Sequence, residues 1–321
     1  MTTDPGARVF VAGHRGMVGG ALMRRLAAAG YRNLVTRERD ALDLTDQAAV
    51  AAFLAETRPD AVLLAAARVG GILANDTFPA EFIHDNLQIQ GNVIHGAWKA
   101  GVRRLVFLGS SCIYPRDCPQ PMREDHLLTG PLEPTNAPYA IAKIAGIAMC
   151  EAYNRQYGTD FFGVMPTNLY GPGDNYDLKG SHVLPAMIRK FTEARERGEP
   201  TVTLWGTGTP RREFMHVDDL ADACLFLMER VHAERGRMPL LNVGWGRDST
   251  IRELAGMVRD AVGYEGRTAW DTTKPDGTPR KLLDTGRLTA LGWTPRIGLK
   301  EGIRRTIADY GREAATGVAR A

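Results

Sequence analysis

The stretch Arg8-Val-Phe-Val-Ala-Gly13-His-Arg-Gly16-Met-Val-Gly19 decides the fold of this chain. Its first five residues are typical of a β-strand, and the three glycines that follow are spaced G-x-x-G-x-x-G. Apolar residues then recur at helical spacing over Met17–Ala29, and Gly30 ends the predicted helix. Glycines at a strand–turn–helix junction permit a tight turn and let a pyrophosphate approach free N–H groups of the helix. The junction therefore predicts a dinucleotide-binding site rather than an ordinary turn.

The segments that follow alternate between short apolar runs and longer helical patterns. Continuous apolar strands are expected when helices cover both faces of a sheet. This alternation predicts an α/β fold with a Rossmann-type, doubly wound parallel sheet. The predicted strands are Asn33–Thr36, Ala61–Ala66, Leu105–Gly109 and Asp160–Met165, and the predicted helices are Thr45–Thr57 (capped by Thr45 or Asp46), Glu81–Ala100 and Tyr139–Tyr157.

The pattern changes after about Gly171, where segments shorten and Gly, Pro and Arg become denser. Leu220–Arg230 and Thr250–Val262 are further predicted helices, but the regular alternation ends. We interpret residues 1–170 as a dinucleotide-binding Rossmann domain. Residues 171–321 are predicted to form a smaller lobe that closes over a second ligand and is interleaved with the last strands of the sheet.

Composition excludes several classes of protein. The 321 residues are 44% hydrophobic and 24% charged, close to the average for soluble globular proteins. Forty basic and 37 acidic residues leave a net charge of +3, too balanced to indicate nucleic-acid binding. The apolar runs are too short to cross a membrane, and the amino terminus has no apolar signal-peptide core. Four cysteines without a C-x-x-C pair, and histidines without metal-ligand spacing, predict a metal-free protein of the reducing cytoplasm: Cys112, Cys118, Cys150 and Cys224.

The end of the second predicted strand bears on the choice of dinucleotide. It reads Arg37-Glu38-Arg39-Asp40. A carboxylate here usually binds the ribose 2′-hydroxyl of NAD, whereas an arginine favours the 2′-phosphate of NADP. Arg39, together with Arg15 of the glycine loop, is predicted to clamp that phosphate, and the predicted cofactor is NADP(H). The alternative is two solvated arginines beside Glu38 and Asp40.

A second motif, Tyr139-Ala-Ile-Ala-Lys143, lies on a predicted helix. Residues four apart share a helix face, so we expect the ammonium to lower the pKa of the phenol. Such a tyrosine exchanges protons with an alcohol or carbonyl oxygen. Ser110 and Ser111 follow the strand that ends at Gly109, where a serine hydroxyl can bond the same oxygen.

Glycine loop, serine-ended strand and Y-x-x-x-K together resemble the extended short-chain dehydrogenase/reductase family, which acts on nucleotide sugars. Within it the chain is similar to the epimerase–reductases that convert GDP-4-keto-6-deoxy-D-mannose to GDP-L-fucose, by epimerisation at C3 and C5 and then NADPH-dependent reduction at C4. The similarity extends from near residue 8 to about residue 300. It is carried by Gly13–Gly19, Ala65–Asn75, Gly109–Pro115, Leu132–Gly146, Met165–Pro172 and Lys274–Asp284.

The resemblance implies roles for five catalytic residues. Ser110, Tyr139 and Lys143 match the reductase group of the family. Cys112 matches the base that removes the C3 and C5 protons, and His182 matches the acid that returns them. Without the resemblance, Cys112 would be interpreted as a packing residue and His182 as a surface or capping residue. Cys150 and Cys224 are predicted to pack between helices.

The resemblance also implies two sets of binding residues. Position 190 is lysine where relatives can have arginine. A lysine ammonium can bind phosphate as a point charge, but it cannot form the paired hydrogen bonds of a planar guanidinium. Trp205 alone would suggest core packing, and Arg212 a surface salt bridge. The cofactor set is Gly13, His14, Arg15, Gly16, Met17, Val18, Gly19, Arg39, Asp40, Ala41, Leu42, Asp43, Leu44, Leu108, Gly109, Ser110, Ser111, Tyr139, Lys143, Pro166, Thr167, Asn168, Leu169 and His182; the GDP-sugar set is Val183, Lys190, Trp205, Arg212, Asp276 and Lys281.

Two alternatives remain open from the sequence. One is a related nucleotide-sugar epimerase or dehydratase with bound NAD, which Arg39 and the pair Cys112 and His182 argue against. The other is a non-catalytic NADP-sensing protein, which would not require Ser110 or Tyr139. The family also implies a homodimer formed through the two long helices Glu81–Ala100 and Tyr139–Tyr157.

Overall fold

The computed structural model describes residues 4–178, 180–233, 240–274 and 276–316. Residues 1–3, part of the segment in which no signal peptide is expected, lie outside this range. The first half alternates strands and helices as predicted. Its elements are Arg8–Ala12 (β1), Met17–Ala28 (α1), Asn33–Val35 (β2), Gln47–Thr57 (α2), Ala61–Leu64 (β3), Ile72–Thr77 (α3), Pro79–Lys99 (α4), Arg104–Leu108 (β4), Ala137–Tyr157 (α5) and Asp160–Pro166 (β5).

The second half contains shorter strands between longer helices. Its elements are Asn168–Tyr170 (β6), Val183–Arg197 (α6), Thr201–Trp205 (β7), Arg211–His216 (β8), Val217–Arg230 (α7), Leu241–Val243 (β9), Asp248–Thr250 (β10), Ile251–Val262 (α8), Arg267–Asp271 (β11), Arg280–Lys281 (β12), Gly286–Ala290 (α9) and Leu299–Ala315 (α10).

The central sheet has the predicted doubly wound topology. Among the described residues six parallel strands are ordered β2-β1-β3-β4-β5-β9. The direction of winding reverses between β1 and β3, which opens a crevice at the carboxyl ends of these strands. The strand β9 comes from the second half of the chain and pairs with β5. The predicted Rossmann-type fold is confirmed.

Helices cover both faces of this sheet and bury its apolar strands. On one face α1 and α7 pack against β1, with Val9, Leu22 and Leu220 in the shared core. On the other face α2, α4 and α5 surround Phe107 and Leu54. Burial on both faces explains why the strand sequences are continuously apolar.

The second lobe has its own sheet and core. Strands β10, β8 and β12 lie side by side, and β6 pairs with β8. The strands β7 and β11 form a separate parallel pair. Helices α6, α8 and α10 supply a core that includes Phe191, Val258 and Ile303. This lobe borders the carboxyl end of the first sheet through β6, which follows β5 directly.

The glycine loop is packed too tightly for side chains. Gly13 has φ +84°, and a Cβ there would lie 2.7 Å from the backbone nitrogen of Ala66. A Cβ at Gly19 would overlap the carbonyl oxygen of Gly13. The first turn of α1 therefore rests directly on the turn that leaves β1. This close packing leaves a backbone-lined cradle at the crevice.

The packing of α1 predicts opposite effects for two adjacent glycines. Gly19→Ala should lower the free energy of unfolding by about 1–3 kcal/mol, because backbone must move to make room. Gly20→Ala should be neutral or stabilising by up to about 1 kcal/mol, since helix propensity improves and its Cβ would make ordinary contacts at 3.6 and 3.8 Å. Urea unfolding of both variants checks this, and equal stabilities would show that α1 does not pack as described.

Candidate active site

The end of β4 presents a serine and a cysteine beside each other. Gly109 donates its N–H to the carbonyl of Val164 at 2.9 Å, which holds the strand in register to its last residue. Ser110 then leaves the sheet in an extended conformation, and its hydroxyl accepts the N–H of Cys112 at 3.2 Å. This bond starts a single 3₁₀ turn over Ser111–Ile113. Ser110 and Cys112 are both half-buried at the carboxyl edge of the sheet.

The helix α5 brings Tyr139 and Lys143 to the same edge. The Lys143 ammonium is buried, donates to the carbonyl of Leu108 at 2.8 Å and lies 5.7 Å from the centroid of the Tyr139 ring. The side chain of Ser110 hydrogen-bonds that of Tyr139. Cys112 lies close enough to Tyr139 to interact electrostatically with the phenol and raise its pKa. The structure thus brings Ser110, Cys112, Tyr139 and Lys143 together, as the sequence predicts.

Burial controls the protonation of this group. It raises the pKa of Tyr139, and Cys112 raises it further, while the hydrogen bond from Ser110 offsets part of the rise. Burial also lowers the pKa of Lys143 to about 7. The expectation of a lowered pKa for Tyr139 is therefore wrong, because desolvation of the buried phenol raises it. Near neutral pH Tyr139 keeps its proton, as an acid requires.

His182 is positioned by a contact between two loops. Gly71 donates its N–H to the carbonyl of Gly180 at 3.2 Å, and a Cβ on Gly71 would lie 3.3 Å from the carbonyl oxygen of Ser181. His182 then begins α6 as its N-cap residue, without a side-chain capping bond. Desolvation by the surrounding protein lowers the pKa of His182. The loop after β3 therefore supports the residue that the resemblance assigns as an acid.

The glycine loop fits the pyrophosphate of a dinucleotide. Gly16 caps α1 without a side-chain bond, and the first turn contains no acidic residue. Its N–H groups therefore face the cradle without a competing side-chain acceptor. Close packing at Gly13 and Gly19 keeps backbone, rather than side chains, along this surface.

Glu38, in the loop that follows β2, holds Arg15 in an ion pair. The Arg15 Nε lies 2.7 Å from a carboxylate oxygen of Glu38, and the His14 Nε2 lies 3.3 Å from the other. Glu38 thus connects the glycine loop to the segment that contains Arg39. Arg39 is exposed, and the side chain of Asp43 accepts the N–H and hydroxyl of Thr45. The proposed clamp of Arg15 and Arg39 on a 2′-phosphate stays a prediction.

Cations and an exposed tryptophan are presented by the second lobe. Trp205 is 64% exposed on β7, and the Lys274 ammonium lies 5.7 Å from its ring centroid. Arg212 on β8 is in register with Lys281 on β12. Trp205 is not a core residue, and Arg212 has no salt bridge within 4 Å among the described residues. The Trp205 ring is open to a ligand, whereas Arg212 is half-buried and donates from one guanidinium nitrogen to the carbonyl of Arg211 at 2.8 Å.

Two further residues of the predicted GDP-sugar set are engaged by neighbouring backbone. Asp276 accepts the N–H of Thr207 at 2.9 Å and its hydroxyl at 2.6 Å. The Lys190 ammonium donates to the carbonyl of Thr203 at 3.3 Å. Burial lowers the pKa of Lys190 and of Arg212. Their roles toward a GDP-sugar remain predictions.

Sequence reasoning missed a buried carboxylate that joins the two sets of binding residues. Glu213 is fully buried and accepts the N–H groups of Leu283 at 3.0 Å and Gly246 at 2.6 Å. Its own carbonyl accepts the side chains of Thr167 at 3.2 Å and Asn168 at 2.8 Å. The only local signal was an acidic residue inside the otherwise buried part of β8.

The remaining cysteines are buried. Cys150 and Cys224 lie in the two cores that flank the first sheet, which confirms their predicted packing role. The Cys118 sulfur lies 3.1 Å from His126 Nδ1. In the portion of the chain that is described, no three His, Cys, Asp or Glu side chains form a group able to hold a metal ion. Nor does any helix there have the length and apolar character to span a membrane.

Comparison with known proteins agrees with this geometry. A sequence profile described as "NAD dependent epimerase/dehydratase family" matches residues 9–244. The chain belongs to the NAD dependent epimerase/dehydratase family. It is 56% identical over 308 residues to GDP-L-fucose synthase 1 of Arabidopsis thaliana, covering 96% of this chain and 94% of that protein. It is also 56% identical to the GDP-L-fucose synthase of Escherichia coli K12, covering 93% and 95%.

A solved structure extends the comparison to a bound cofactor. The GDP-L-fucose synthetase of Naegleria fowleri bound to NADP has a TM-score of 0.90 and 25% sequence identity to this chain. The similarity covers 100% of this chain and 98% of that protein. The fold is therefore shared over the whole length, including the second lobe.

The buried ammonium of Lys143 predicts a pH-dependent stability. The native side chain releases its proton near pH 7, whereas a lysine in the unfolded chain keeps it to about pH 10.4. Between these values the unfolded state binds more protons, so the free energy of unfolding should rise with pH by up to about 1.4 kcal/mol per unit. Lys143→Met should lack this contribution. Urea unfolding of both proteins at pH 7, 8 and 9 measures it; a difference between them that does not change with pH would contradict the assignment.

Proposed function

We propose that this chain converts GDP-4-keto-6-deoxy-D-mannose to GDP-L-fucose, by epimerisation at C3 and C5 and reduction at C4 with NADPH. The observation that carries the proposal is a thiol, Cys112, held beside the phenol of Tyr139 and the hydroxyl of Ser110. A reductase alone has no need of this thiol. Identity of 56% over nearly the full length to two GDP-L-fucose synthases supports the same activity and disfavours an NAD-bound epimerase or dehydratase.

Epimerisation uses the acidity that the C4 ketone gives to the protons at C3 and C5. The Cys112 thiolate takes a proton from carbon, and the electron pair moves into the C4 carbonyl to form an enolate. Ser110 and Tyr139 donate hydrogen bonds to the resulting oxyanion. His182 returns a proton to the opposite face of the same carbon, and the ketone is restored. Cys112 then releases its proton to solvent and His182 takes one up from solvent, after which the cycle is repeated at the other carbon.

Reduction uses the same oxygen contacts. NADPH, when bound, supplies the hydride that reduces C4. Tyr139, kept protonated by burial, gives its proton to the C4 oxygen as that oxygen gains negative charge. In its protonated form, the Lys143 side chain stabilises the phenolate that remains. Ser110 orients the oxygen through its hydrogen bond.

Binding is divided between the two halves of the chain. Residues 1–170 hold the dinucleotide, with its pyrophosphate on Gly13, Gly16 and Gly19 and its 2′-phosphate near Arg15 and Arg39. Residues 171–321 mainly hold the GDP-sugar. Its contacts are Val183, Lys190, Trp205, Arg212, Asp276 and Lys281.

A homodimer in the cytoplasm fits the surface of the protein. The helices α4 and α5 pack together and expose Leu87, Ile141 and Tyr157, which are 39%, 47% and 42% accessible. Trp98 stacks on Tyr157 with ring centroids 4.2 Å apart, which extends this apolar surface. A second copy would cover it by pairing the same two helices. Free cysteines fit a reducing compartment.

The cofactor assignment predicts a selective effect of Arg39→Ala. The variant should raise the Kd for NADPH about tenfold and leave the Kd for NADH unchanged, because a charge-assisted bond to the 2′-phosphate is lost. Arg37→Ala is the matched control, since Arg37 stacks over Phe53 instead, 5.0 Å from its ring centroid. Calorimetric titration of both dinucleotides tests this. Equal weakening of NADPH and NADH by Arg39→Ala would remove the clamp from the account.

The division of labour predicts that epimerisation and reduction separate in two variants. Cys112→Ser should block exchange at C3 and C5, because a hydroxyl is a far weaker base than a thiolate. It should still oxidise NADPH and release an unepimerised GDP-6-deoxy sugar of the D series. Tyr139→Phe should lose about 10²- to 10⁴-fold in hydride transfer while exchange persists.

Incubation in heavy water with NMR and mass analysis of the product separates these activities. His182 variants provide a third pattern, in which solvent exchange persists but correct reprotonation fails. Doubly deuterated GDP-L-fucose formed by Cys112→Ser at the parent rate would place the base elsewhere. Near-normal turnover of Tyr139→Phe would remove the phenol from the acid role.

A further inference from the structure

A buried polar network lies behind the turn that presents Cys112. Tyr114, two residues after the cysteine, is 3% exposed and donates its hydroxyl to the side-chain oxygen of Asn242 at 2.6 Å. Burial and the neighbouring Glu124 carboxylate raise the pKa of Tyr114, so its phenol stays a donor. Asn242 is fully buried on β9, at the edge of the first sheet. The network therefore anchors the cysteine turn to the sheet.

Asn242 uses every hydrogen-bonding hydrogen that it has. Its amide nitrogen donates to the carbonyls of Met122 at 2.9 Å and Asp284 at 3.0 Å. Its backbone N–H donates to the carboxylate of Glu124 at 3.0 Å. One residue thus binds the loop that follows Cys112 and the segment that continues from Lys281. A buried network in which all members are satisfied specifies a single geometry.

The loop and the segment are also bonded directly. Met122 donates its N–H to the carbonyl of Leu282 at 2.7 Å, and Asp284 donates to the carbonyl of Met122 at 2.8 Å. Leu283 next to them donates to the buried Glu213. The segment that follows β12 is therefore registered through backbone against Met122, in the loop that follows the cysteine turn.

Cys112 depends on this network more than Ser110 and Tyr139 do. Ser110 follows Gly109, whose backbone bond to Val164 extends the register of β4, and Tyr139 is set by the long helix α5. Cys112 lies beyond the strand on a single 3₁₀ turn. On one side that turn is bonded to Ser110, and on the other it continues into Tyr114. We therefore expect loss of the bond at Tyr114 to loosen Cys112 while Ser110 and Tyr139 stay in place.

We propose that Tyr114 and Asn242 are positioning residues for epimerisation, which set the base Cys112 against the bound sugar without taking part in reduction. The inference rests on the proposed function. On this proposal, Tyr114 and Asn242 set the ratio of two outcomes for the bound ketone: epimerisation before reduction, and direct reduction without epimerisation. A misplacement of about 1 Å at a reacting group costs about a hundredfold in rate, so this ratio is a sensitive measure.

Tyr114→Phe tests the proposal because the ring can stay in its apolar cluster with Ile113 and Met165. The variant is incubated with GDP-4-keto-6-deoxy-D-mannose and NADPH in heavy water. The fraction of product epimerised at C3 and C5 should fall about 10- to 100-fold relative to direct reduction, while NADPH oxidation per enzyme changes less than about threefold. This ratio is internal to each turnover, so a lower yield of folded protein does not alter it.

Tyr264→Phe is the matched control. Tyr264 is also a buried tyrosine, 6% exposed, and its hydroxyl donates to the carbonyl of Glu199 at 2.8 Å, in the core of the second lobe. It should lose stability comparably and keep the parental product ratio. Cys112→Ser gives the product ratio expected when the base is absent.

The outcomes distinguish the inference from the proposed function. Parental enzyme that forms no GDP-L-fucose overturns the proposed function and the inference with it. Parental enzyme that forms GDP-L-fucose, with Tyr114→Phe giving the parental ratio, overturns only the inference. A shifted ratio in Tyr264→Phe as large as that in Tyr114→Phe also overturns it, since any buried hydroxyl would then suffice.

Discussion

The bond from the buried Lys143 ammonium to the carbonyl of Leu108 is the contact on which the proposed chemistry depends. It joins α5 to the last residue of β4, and so places Tyr139 of the helix against Ser110 of the strand end. Burial of an ammonium is costly, and the low pKa of Lys143 expresses that cost. The buried Lys143 ammonium nevertheless has a structural role, because its bond to Leu108 holds α5 against the end of β4 where the oxygen of the sugar would lie. Cys112, two residues after Ser110, lies beside the position where the oxygen of the sugar would lie.

Reaction and binding residues come from both halves of the chain, and buried polar groups hold the halves together. Glu213 bonds the loop after β5 to the segment after β12, and Asn242 bonds that segment to the cysteine turn. Among the described residues the Glu213 carboxylate bonds backbone N–H groups and forms no salt bridge, and Asn242 is uncharged. Their hydrogen bonds instead keep the second lobe in one position relative to the first sheet. An enzyme that performs two chemistries in one pocket requires such registration, because both steps address the same ring.

Much of the fold was predictable from local patterns. The prediction for α1 was Met17–Ala29 against Met17–Ala28 observed, and Asp46 does cap α2 by accepting two backbone N–H groups. The helix α6 was missed, because Pro185 interrupts its apolar pattern; a proline in the first turn is nevertheless tolerated, since its missing N–H would have no helical partner. The short strands β10 and β12 were also missed, because they form only by pairing with β8.

The site divides in the same way. Motif spacing and resemblance were enough to place Ser110, Tyr139 and Lys143 together, since strand end and helix face are local features. The direction of the Tyr139 pKa shift was not predictable, because it depends on burial by distant residues. The bond of Tyr114 to Asn242 spans 128 residues and leaves no local signal at either end. Three-dimensional packing alone reveals the groups that position the base.

The most direct measurement of the central claim is the isotopic pattern of the product. The parental enzyme is given GDP-4-keto-6-deoxy-D-mannose and NADPH in heavy water, and the product is examined by NMR. Two chemistries in one pocket predict GDP-L-fucose with deuterium at C3 and C5 and none at C4, and one NADPH consumed per product. A GDP-6-deoxy sugar of the D series without deuterium at C3 and C5 would contradict the account, because it would show reduction without epimerisation.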